Sequence, residues 1–362
     1  MEAKPDQIGQ DREPLDFDFH GVGLRVSCND PAVSTQVAED FAYFRVEEKP
    51  QSECGIAPDF TITGVLGIPA YDGVPPLKAS MYTPRNICYS QGDITYIDYF
   101  GRALARYDRG RGTLDVQSDD PQMLREVIFL STLSRMGEAL ERHRMHRVHS
   151  LAIESGGEAA LFALPSGGGK TSLAMEFLRS DLGYRILSED SPLVNSSGEV
   201  LPFPLRFGIK GERPEGFADR HITLVDRMEF DPKYLISLDA FDGRIATGPA
   251  RPRFLFIGHR TLGTACAIRR AGFMVGLRCL MREMVVGVGL YQGVEFLFQS
   301  SAREVVGKTG LFVSRLRRAL TLLRRCEIYT VELGRDRHRN AAVLVAFLTS
   351  QRFGTRFGAP AP

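Results

Sequence analysis

The stretch Ala159-Ala-Leu-Phe-Ala-Leu-Pro-Ser-Gly-Gly-Gly-Lys-Thr-Ser-Leu-Ala174 decides the fold of this 362-residue chain. Its apolar start predicts a buried strand, the three glycines predict a loop, and the residues from Lys170 to Arg179 predict a helix. A strand, a glycine loop and a helix that opens with Lys-Thr form the arrangement of a P-loop, which binds phosphates. The sequence therefore predicts an α/β domain built around a phosphate-binding turn.

The residue types of this loop suit a nucleotide with its metal. The glycines that let successive backbone N–H groups turn toward phosphate oxygens are Gly167, Gly168 and Gly169. Lys170 is expected to reach the β- and γ-phosphates, and the Thr171 hydroxyl can ligate Mg²⁺. One position departs from the strict G-x-x-x-x-G-K-[ST] pattern, because Leu164 stands where the pattern has its first glycine. We expect ATP and Mg²⁺ as cofactors.

Two acids stand at the end of the next predicted strand, which covers residues 184–187. Open α/β sheets bind ligands at the carboxyl ends of their strands, so Glu189 and Asp190 are placed to meet the phosphates or their metal. Adjacent acids at a strand end are on their own common in solvated turns, and the P-loop makes this pair informative. We predict that Thr171, Glu189 and Asp190 hold Mg²⁺ and that Asp190 accepts the proton of the acceptor.

These residues resemble the catalytic domain of HPr kinase/phosphorylase and its relatives, bacterial serine kinases with a P-loop in a phosphoenolpyruvate-carboxykinase-like fold. The resemblance is specific over residues 147–210, and relatives of this kind also occur in peptide natural-product pathways. The positions that match the family's loop are Ser166, Gly167, Gly169 and Lys170, with Thr171 for its serine and Glu189-Asp190 for its acidic pair. His149 precedes Lys170 by 21 residues, as in the family, and the resemblance implies a catalytic role beside the transferred phosphoryl group. The alternative for His149 is a structural histidine at the start of a strand.

The chain also departs from that family. The segment Pro204-Leu-Arg206-Phe-Gly208 corresponds best to the family's Glu-Ile-Arg-Gly and keeps its arginine, but it lacks the glutamate. Near the end, Gly334-Arg-Asp-Arg-His-Arg339-Asn340 resembles the family's Gly-Arg-Asn stretch with an insertion. The resemblance implies that Arg206 and Arg339 contact substrate or phosphate. The first hundred residues do not resemble the family's N-terminal domain, so the protein HPr itself is not the expected substrate.

The composition is that of a globular protein, with 43% hydrophobic and 25% charged residues, and it excludes a mainly disordered or collagen-like chain. Lys and Arg number 45 against 44 Asp and Glu, so the chain as a whole has no electrostatic reason to bind nucleic acid or an anionic membrane. No apolar run approaches the roughly 20 residues of a membrane span. Scattered cysteines are typical of reduced thiols, and we expect a cytoplasmic protein.

The chain as a whole is predicted to be α+β. Residues 1–14 and 353–362 are expected to be disordered tails, and residues 15–118 a strand-rich α+β domain with one helix at 32–44. A connecting helix is predicted over 119–146, since Asp119-Asp-Pro is a helix start signal. The P-loop domain is predicted over 147–352, with further strands at 254–257, 285–290, 328–333 and 342–347 and an arginine-rich helix at 311–325.

The function that these observations favour is an ATP-dependent kinase acting on a hydroxyl, above all a serine of a protein or peptide. One alternative is a nucleotide-binding module that senses ATP or GTP and docks a partner without phosphotransfer. A second alternative is a P-loop NTPase, although the sequence offers no arginine finger or water-positioning motif. The acceptor, the choice between ATP and GTP, phosphorylase activity and a homo-oligomeric state are left open.

Overall fold

The computed structural model describes residues 13–46, 58–180, 182–227, 230–287 and 302–355. The chain divides into two compact units. The first comprises the residues up to Met136 together with Gly208–Ser237, and the second comprises Gly137–Phe207 and the residues from Leu238 onward. Both units contain helices and sheets, so the protein is a mixed α and β protein. None of the described helices has the length and apolar character that crossing a membrane requires.

The helices and strands are numbered in chain order. The strands are β1 (Leu15–Asp18), β2 (Gly23–Cys28), β3 (Phe60–Leu66), β4 (Met81–Tyr82), β5 (Ile87–Gln91), β6 (Ile94–Asp98), β7 (Ala103–Asp108), β8 (Thr113–Ser118), β9 (His146–Arg147), β10 (Leu151–Ser155), β11 (Glu158–Ala163), β12 (Arg185–Ser188), β13 (Leu193–Val194), β14 (Val200–Leu201), β15 (Phe207–Lys210), β16 (Ile222–Arg227), β17 (Phe230–Ile236), β18 (Arg251–Arg260), β19 (Ala267–Arg270) and β20 (Glu327–Leu333). The helices are α1 (Pro31–Asp40), α2 (Pro121–Arg142), α3 (Lys170–Arg179), α4 (Phe273–Leu280), α5 (Ala302–Arg325) and α6 (Arg337–Ser350). Short 3₁₀ turns lie at Ala42–Phe44, Asp219–His221 and Leu238–Phe241, and a π-helical turn lies at Met281–Val286.

The first unit is built on a sheet of order β1-β2-β3-β8-β7-β6-β5-β4. β3 runs parallel to both β2 and β8, and the other pairs are antiparallel. Aromatic side chains between this sheet and its helices form the core, with Phe19 stacked on Phe44 at 4.3 Å between ring centroids. A buried ion pair joins α1 to α2, because Arg125 donates from Nε and Nη2 to Asp40 at 2.8 and 2.5 Å. Both charged groups are buried, so each needs the other as a counter-charge to offset its lost hydration.

Two predicted helices are present but end earlier than expected. The helix expected over 32–44 ends at Asp40 and is followed by the 3₁₀ turn, and the helix expected over 119–146 ends at Arg142, before β9. N-terminal caps explain where the two helices begin. The Asp30 carboxylate accepts from the backbone N–H of Val33 at 2.8 Å and begins α1 at Pro31. The Asp120 carboxylate accepts from Gln122 N at 2.9 Å at the start of α2, as the Asp-Pro signal predicts. α2 crosses the division between the units at Met136.

The second unit is built on a sheet of order β12-β10-β11-β18-β20-β19. β11, β18 and β20 are parallel, while β10 is antiparallel to both of its neighbours and β19 is antiparallel to β20. The carboxyl ends of β11, β12, β18 and β20 and the start of β10 therefore lie at one edge of the sheet. The predicted site residues that lie next to these strand ends are His149, Lys170, Thr171, Glu189 and Asp190.

Both faces of this sheet are covered, as the buried strand β11 and the buried middle of β18 require. One face is aromatic: Phe162 and Phe256 stack at 4.7 Å, Phe177 of α3 packs on Phe162, and Phe347 of α6 packs on Phe256. The other face carries aliphatic side chains that pack with α4, the π-helical turn and α5. Helices on both faces of this mixed sheet, whose central strands β11, β18 and β20 are parallel, make this unit an α/β layer structure.

Several predictions for the second half of the chain differ from the structure. Residues 342–347, expected as a strand, lie inside α6, because their apolar side chains also fit one face of a helix. Val285 and Val286, the start of the strand expected over 285–290, belong to the π-helical turn, and residues 288–290 lie outside the described residues. The continuous domain expected over 147–352 contains Gly208–Ser237, which clusters with the first unit and forms a sheet of order β15-β17-β16.

The prediction of a disordered tail over 353–362 is wrong for its first residues, Phe353 and Gly354. Phe353 is only 6% exposed and packs beside Tyr184 and Phe254, with ring centroids 6.0 and 5.9 Å away. The backbone N–H of Gly354 donates to the Glu158 carboxylate at 3.0 Å. An apolar ring and a hydrogen bond thus hold this segment against the sheet. Residues 356–362 and the predicted tail at 1–12 lie outside the described residues.

Candidate functional site

The glycine loop, residues 164–169, joins the end of β11 to the start of α3. Gly167 and Gly169 have φ values of +72° and +97°, a region that favours glycine. Gly168 is needed for another reason, since a Cβ at this position would lie 2.7 Å from the Pro165 carbonyl oxygen. The Gly168 N–H donates to that oxygen at 2.8 Å and closes the turn. Ser166 lies exposed at the tip of the loop.

Leu164, the departure from the strict loop pattern, is accommodated by a glycine on the neighbouring strand. Its buried side chain lies against Gly258 of β18, where a Cβ would overlap the Leu164 Cδ2 methyl group. The Leu164 carbonyl oxygen accepts from Lys170 Nζ at 3.0 Å. The loop therefore keeps a turn that leads into α3 although its first glycine is replaced.

Lys170 lies at the centre of a buried cluster of charged groups. Its side chain is 7% exposed, and Nζ is 2.8 Å from His149 Nε2 and 3.2 Å from Asp190 Oδ1. Backbone bonds support this arrangement, because the Ser150 N–H donates to the Asp190 carbonyl oxygen at 3.0 Å. The structure thus brings together His149, Lys170 and Asp190, the residues that the sequence predicted to be catalytic.

Glu283 completes the cluster, and sequence reasoning did not find it. Its carboxylate, buried in the π-helical turn, is 2.7 Å from His149 Nδ1. The backbone N–H of His149 also donates to the Glu283 carbonyl oxygen at 2.9 Å, so one bond orients the ring and a second holds the two backbones together. Arg282 donates to the other carboxylate oxygen from Nε at 2.6 Å. An acid inside the apolar run 280–286 was the available signal, since a buried charge requires a partner.

The two flanking carboxylates set the protonation of His149. Burial lowers the pKa of His149, but hydrogen bonds to Asp190 and Glu283 outweigh it and raise the pKa to about 9. A protonated ring donates from Nδ1 to Glu283 and from Nε2 to Asp190, which lies 3.3 Å away. Nε2 also lies 2.8 Å from the Lys170 ammonium, and it can accept from Lys170 only when the ring is neutral. In both states Nδ1 carries a proton toward Glu283, and the partner of Nε2, Asp190 or Lys170, decides whether the ring is protonated.

The carboxylates of the cluster are held ionised. Burial raises the pKa of Asp190, but the hydrogen bond from His149 and the charge of Lys170 outweigh burial and lower the pKa below its usual range. The same balance lowers the pKa of Glu283, with His149 and Arg282 as the opposing groups. Asp190 is also half-exposed, whereas Glu283 is buried. Asp190 is therefore the carboxylate that an incoming molecule can reach.

Thr171 and Glu189 form the pair that best fits a magnesium ion. The Thr171 hydroxyl donates to the Glu189 carboxylate, which places two hard oxygen donors side by side at the first turn of α3. Within the described residues, no group of three or more His, Cys, Asp or Glu side chains forms a preformed metal centre. Mg²⁺ is usually held by one or two protein oxygens together with substrate phosphates and water, so this pair fits the ion.

The two remaining predicted residues lie in different places. Arg206 is 6% exposed and precedes β15. Arg339 is exposed in the first turn of α6, where its backbone N–H donates to the Asp336 carboxylate at 3.0 Å. The structure does not bring Arg339 into the cluster around Lys170, and contacts of either arginine with substrate or phosphate stay predictions.

No protein-family model matches the chain, and no curated protein matches it significantly.

Proposed function

We propose that the chain is an ATP- and Mg²⁺-dependent phosphotransferase that phosphorylates a hydroxyl, in the first place a serine of a protein or peptide. The observation that carries the proposal is the Lys170 ammonium at the start of α3, within 3.2 Å of Asp190 and 2.8 Å of His149. A cation that neutralises phosphate charge and an accessible carboxylate that can accept the hydroxyl proton, both next to a glycine loop, are groups that phosphoryl transfer uses. In the same proposal, the second unit is a P-loop domain of the phosphoenolpyruvate-carboxykinase-like kind.

The glycine loop supplies backbone N–H groups for the phosphates. Gly167 and Gly169 curl the chain so that these groups and the first turn of α3 face the same point. Lys170 exchanges Asp190 for the β- and γ-phosphates when nucleotide binds. Thr171 and Glu189 hold Mg²⁺, which neutralises phosphate charge when bound.

Asp190 and His149 act on the acceptor side. Once Lys170 binds phosphate, its charge no longer lowers the pKa of Asp190 as strongly, and the carboxylate becomes a better acceptor for the hydroxyl proton. Once Lys170 leaves Nε2 for the phosphates, the flanking carboxylates favour the protonated ring of His149, which then donates a hydrogen bond to the transferred group and balances its negative charge. Glu283 touches neither reactant and is a positioning residue that acts through His149.

A nucleotide-sensing module is the second candidate function, and one observation favours it. Lys170 has three partners within the protein, Leu164 O, His149 and Asp190, and an incoming phosphate would have to displace at least one of them. A protein that changes its binding partner when ATP breaks these contacts of Lys170 would need no acceptor for a phosphoryl group. Product formation separates this candidate from the kinase.

The test uses the full chain with Mg²⁺, γ-labelled ATP and a degenerate library of serine-containing peptides. We expect the wild type to bind ATP and to label peptide, and Lys170→Ala to lose both because the phosphates lose their cation. Lys78→Ala removes the same charge at an exposed position of the first unit and serves as the matched control. Melting temperature shows whether each variant is folded.

The outcomes separate the candidates. Binding without label transfer or phosphate release supports the sensor, and phosphate release without labelled peptide supports an NTPase. A folded Lys170→Ala protein with wild-type ATP affinity and transfer rate would show that the glycine loop is not a nucleotide site.

A further inference from the structure

Arg260 lies beside the glycine loop, on the side away from the cluster around His149. It is the last residue of β18, the strand that runs parallel to β11, and its guanidinium Nη1 is 3.6 Å from the point that a Cβ on Gly169 would occupy. The residue is exposed. Among the residues that the structure describes, its guanidinium has no hydrogen bond or ion pair, so its five N–H donors are available.

Lys170 and Arg260 reach the loop from opposite sides. The Lys170 ammonium points toward His149 and Asp190, which precede β10 and follow β12. Arg260 approaches from β18, on the other side of β11 in the sheet order. A chain of phosphates that follows the glycine loop would therefore have one cation near each end.

The surroundings of Arg260 are basic as well. The segment after β18 runs beside the segment after β20, because Thr261 N donates to Leu333 O and Arg335 N donates to Gly263 O, both at 2.8–2.9 Å. The second segment adds the exposed residues Arg335 and Arg339. The acid between them, Asp336, has its carboxylate engaged as the N-cap of α6. The β18–β20 part of this edge therefore carries exposed arginines that favour a bound anion, whereas Glu189 and Asp190 lie at its β12 part.

We propose that Arg260 binds the α- and β-phosphates of a nucleoside triphosphate, while Lys170 binds its γ-phosphate end. This inference rests on the proposed function, because the γ-phosphate faces Asp190 and His149 only if transfer occurs there. The nucleoside then extends along the β18–β20 side of the sheet, and the acceptor approaches from the β10–β12 side. Arg260 is thus a phosphate-binding residue that the adjacent strand supplies in addition to the loop.

The test compares Mg²⁺-ATP and Mg²⁺-ADP binding to the wild type and to Arg260→Met by calorimetry. Because both nucleotides carry α- and β-phosphates, we expect both dissociation constants to rise by a similar factor, about tenfold to a hundredfold for a charge-assisted bond. Arg260→Lys keeps the positive charge but lacks the paired N–H donors of the guanidinium. Its dissociation constants should therefore lie between those of the wild type and of Arg260→Met. Arg270→Met is the matched control, since Arg270 is an exposed arginine opposite Tyr329, near the start of β20 and the other edge of the sheet.

Each result has a distinct meaning. Equal affinities of the wild type and a folded Arg260→Met protein would overturn the inference and leave the proposed function standing. Loss of ATP affinity with unchanged ADP affinity would also overturn it, because Arg260 would then contact the γ-phosphate. A wild-type protein that binds neither nucleotide would refute the proposed function itself, and the inference with it.

Discussion

Replacing Glu283 by glutamine should lower the pKa of His149 while keeping the shape of the cluster. The rise of this pKa from 6.5 to about 9 corresponds to about 3 kcal/mol in favour of the protonated ring. Two carboxylates, Asp190 and Glu283, share that stabilisation. In Glu283→Gln the side-chain amide oxygen can still accept from Nδ1, but the negative charge is gone, so we expect about half of the effect to disappear. The His149 midpoint should fall by about one pH unit.

The measurement is a titration of the His149 ring followed by NMR, with the resonance assigned from the spectrum of His149→Gln. Glu332→Gln is the matched control, because Glu332 is a partly exposed acid that pairs with Arg269 on the far side of the sheet. Glu332→Gln changes the net charge by the same amount as Glu283→Gln and should leave the titration midpoint of His149 unchanged.

The same change should appear in the pH dependence of stability. A pKa that is raised in the folded state stabilises the protein fully below the unfolded value near 6.5, and this contribution disappears as the pH rises through about 9. In Glu283→Gln this stabilisation by protonated His149 should be lost completely at a lower pH than in the wild type. Melting temperatures measured from pH 6 to 10 will show the difference. A wild-type His149 that titrates at or below 6.5, or an unchanged midpoint in Glu283→Gln, would refute this account of the cluster.

Two further predictions concern the transfer step and the first unit. His149→Ala should lower kcat in single-turnover phosphate transfer by about 10² or more with little change in ATP affinity, and intact transfer by the folded variant would assign His149 a structural role. Asp40→Asn should lower the free energy of unfolding in urea by about 3–5 kcal/mol, because Arg125 is left buried without its counter-charge. Asp16→Asn, which breaks an exposed pair with Arg25, should cost less than about 1 kcal/mol, and equal losses in the two variants would contradict the prediction.

The part of the fold that could be predicted from the sequence is the part with strong local signals. α3 begins and ends where the Lys-Thr start and the apolar spacing predict, and β20 and β18 contain their predicted strands. The sequence pattern alone could not assign residues 342–347 to a helix or a strand, since a short apolar run fits a buried strand and a buried helix equally well. Tertiary contacts decide such a case, here the packing of Phe347 on Phe256 and Tyr329.

The candidate site shows the same division. Lys170, Asp190 and His149 were found because loop chemistry, strand ends and a family resemblance point to them, and the structure brings them within hydrogen-bond distance. Glu283 lies 134 residues after its partner His149, and only the packing of the π-helical turn against the start of β10 joins them. Arg260 follows the strand predicted over 254–257, just as Glu189 and Asp190 follow the strand predicted over 184–187. The rule that ligands bind at the carboxyl ends of strands, which pointed to the two acids, therefore applies to Arg260 as well.

The contact between Leu164 and Gly258 constrains the order in which this loop can change during evolution. A side chain at 258 collides with the leucine, and a glycine at 164 leaves an unfilled space above Gly258. Each replacement alone carries a penalty that the other relieves, so the two positions are epistatic.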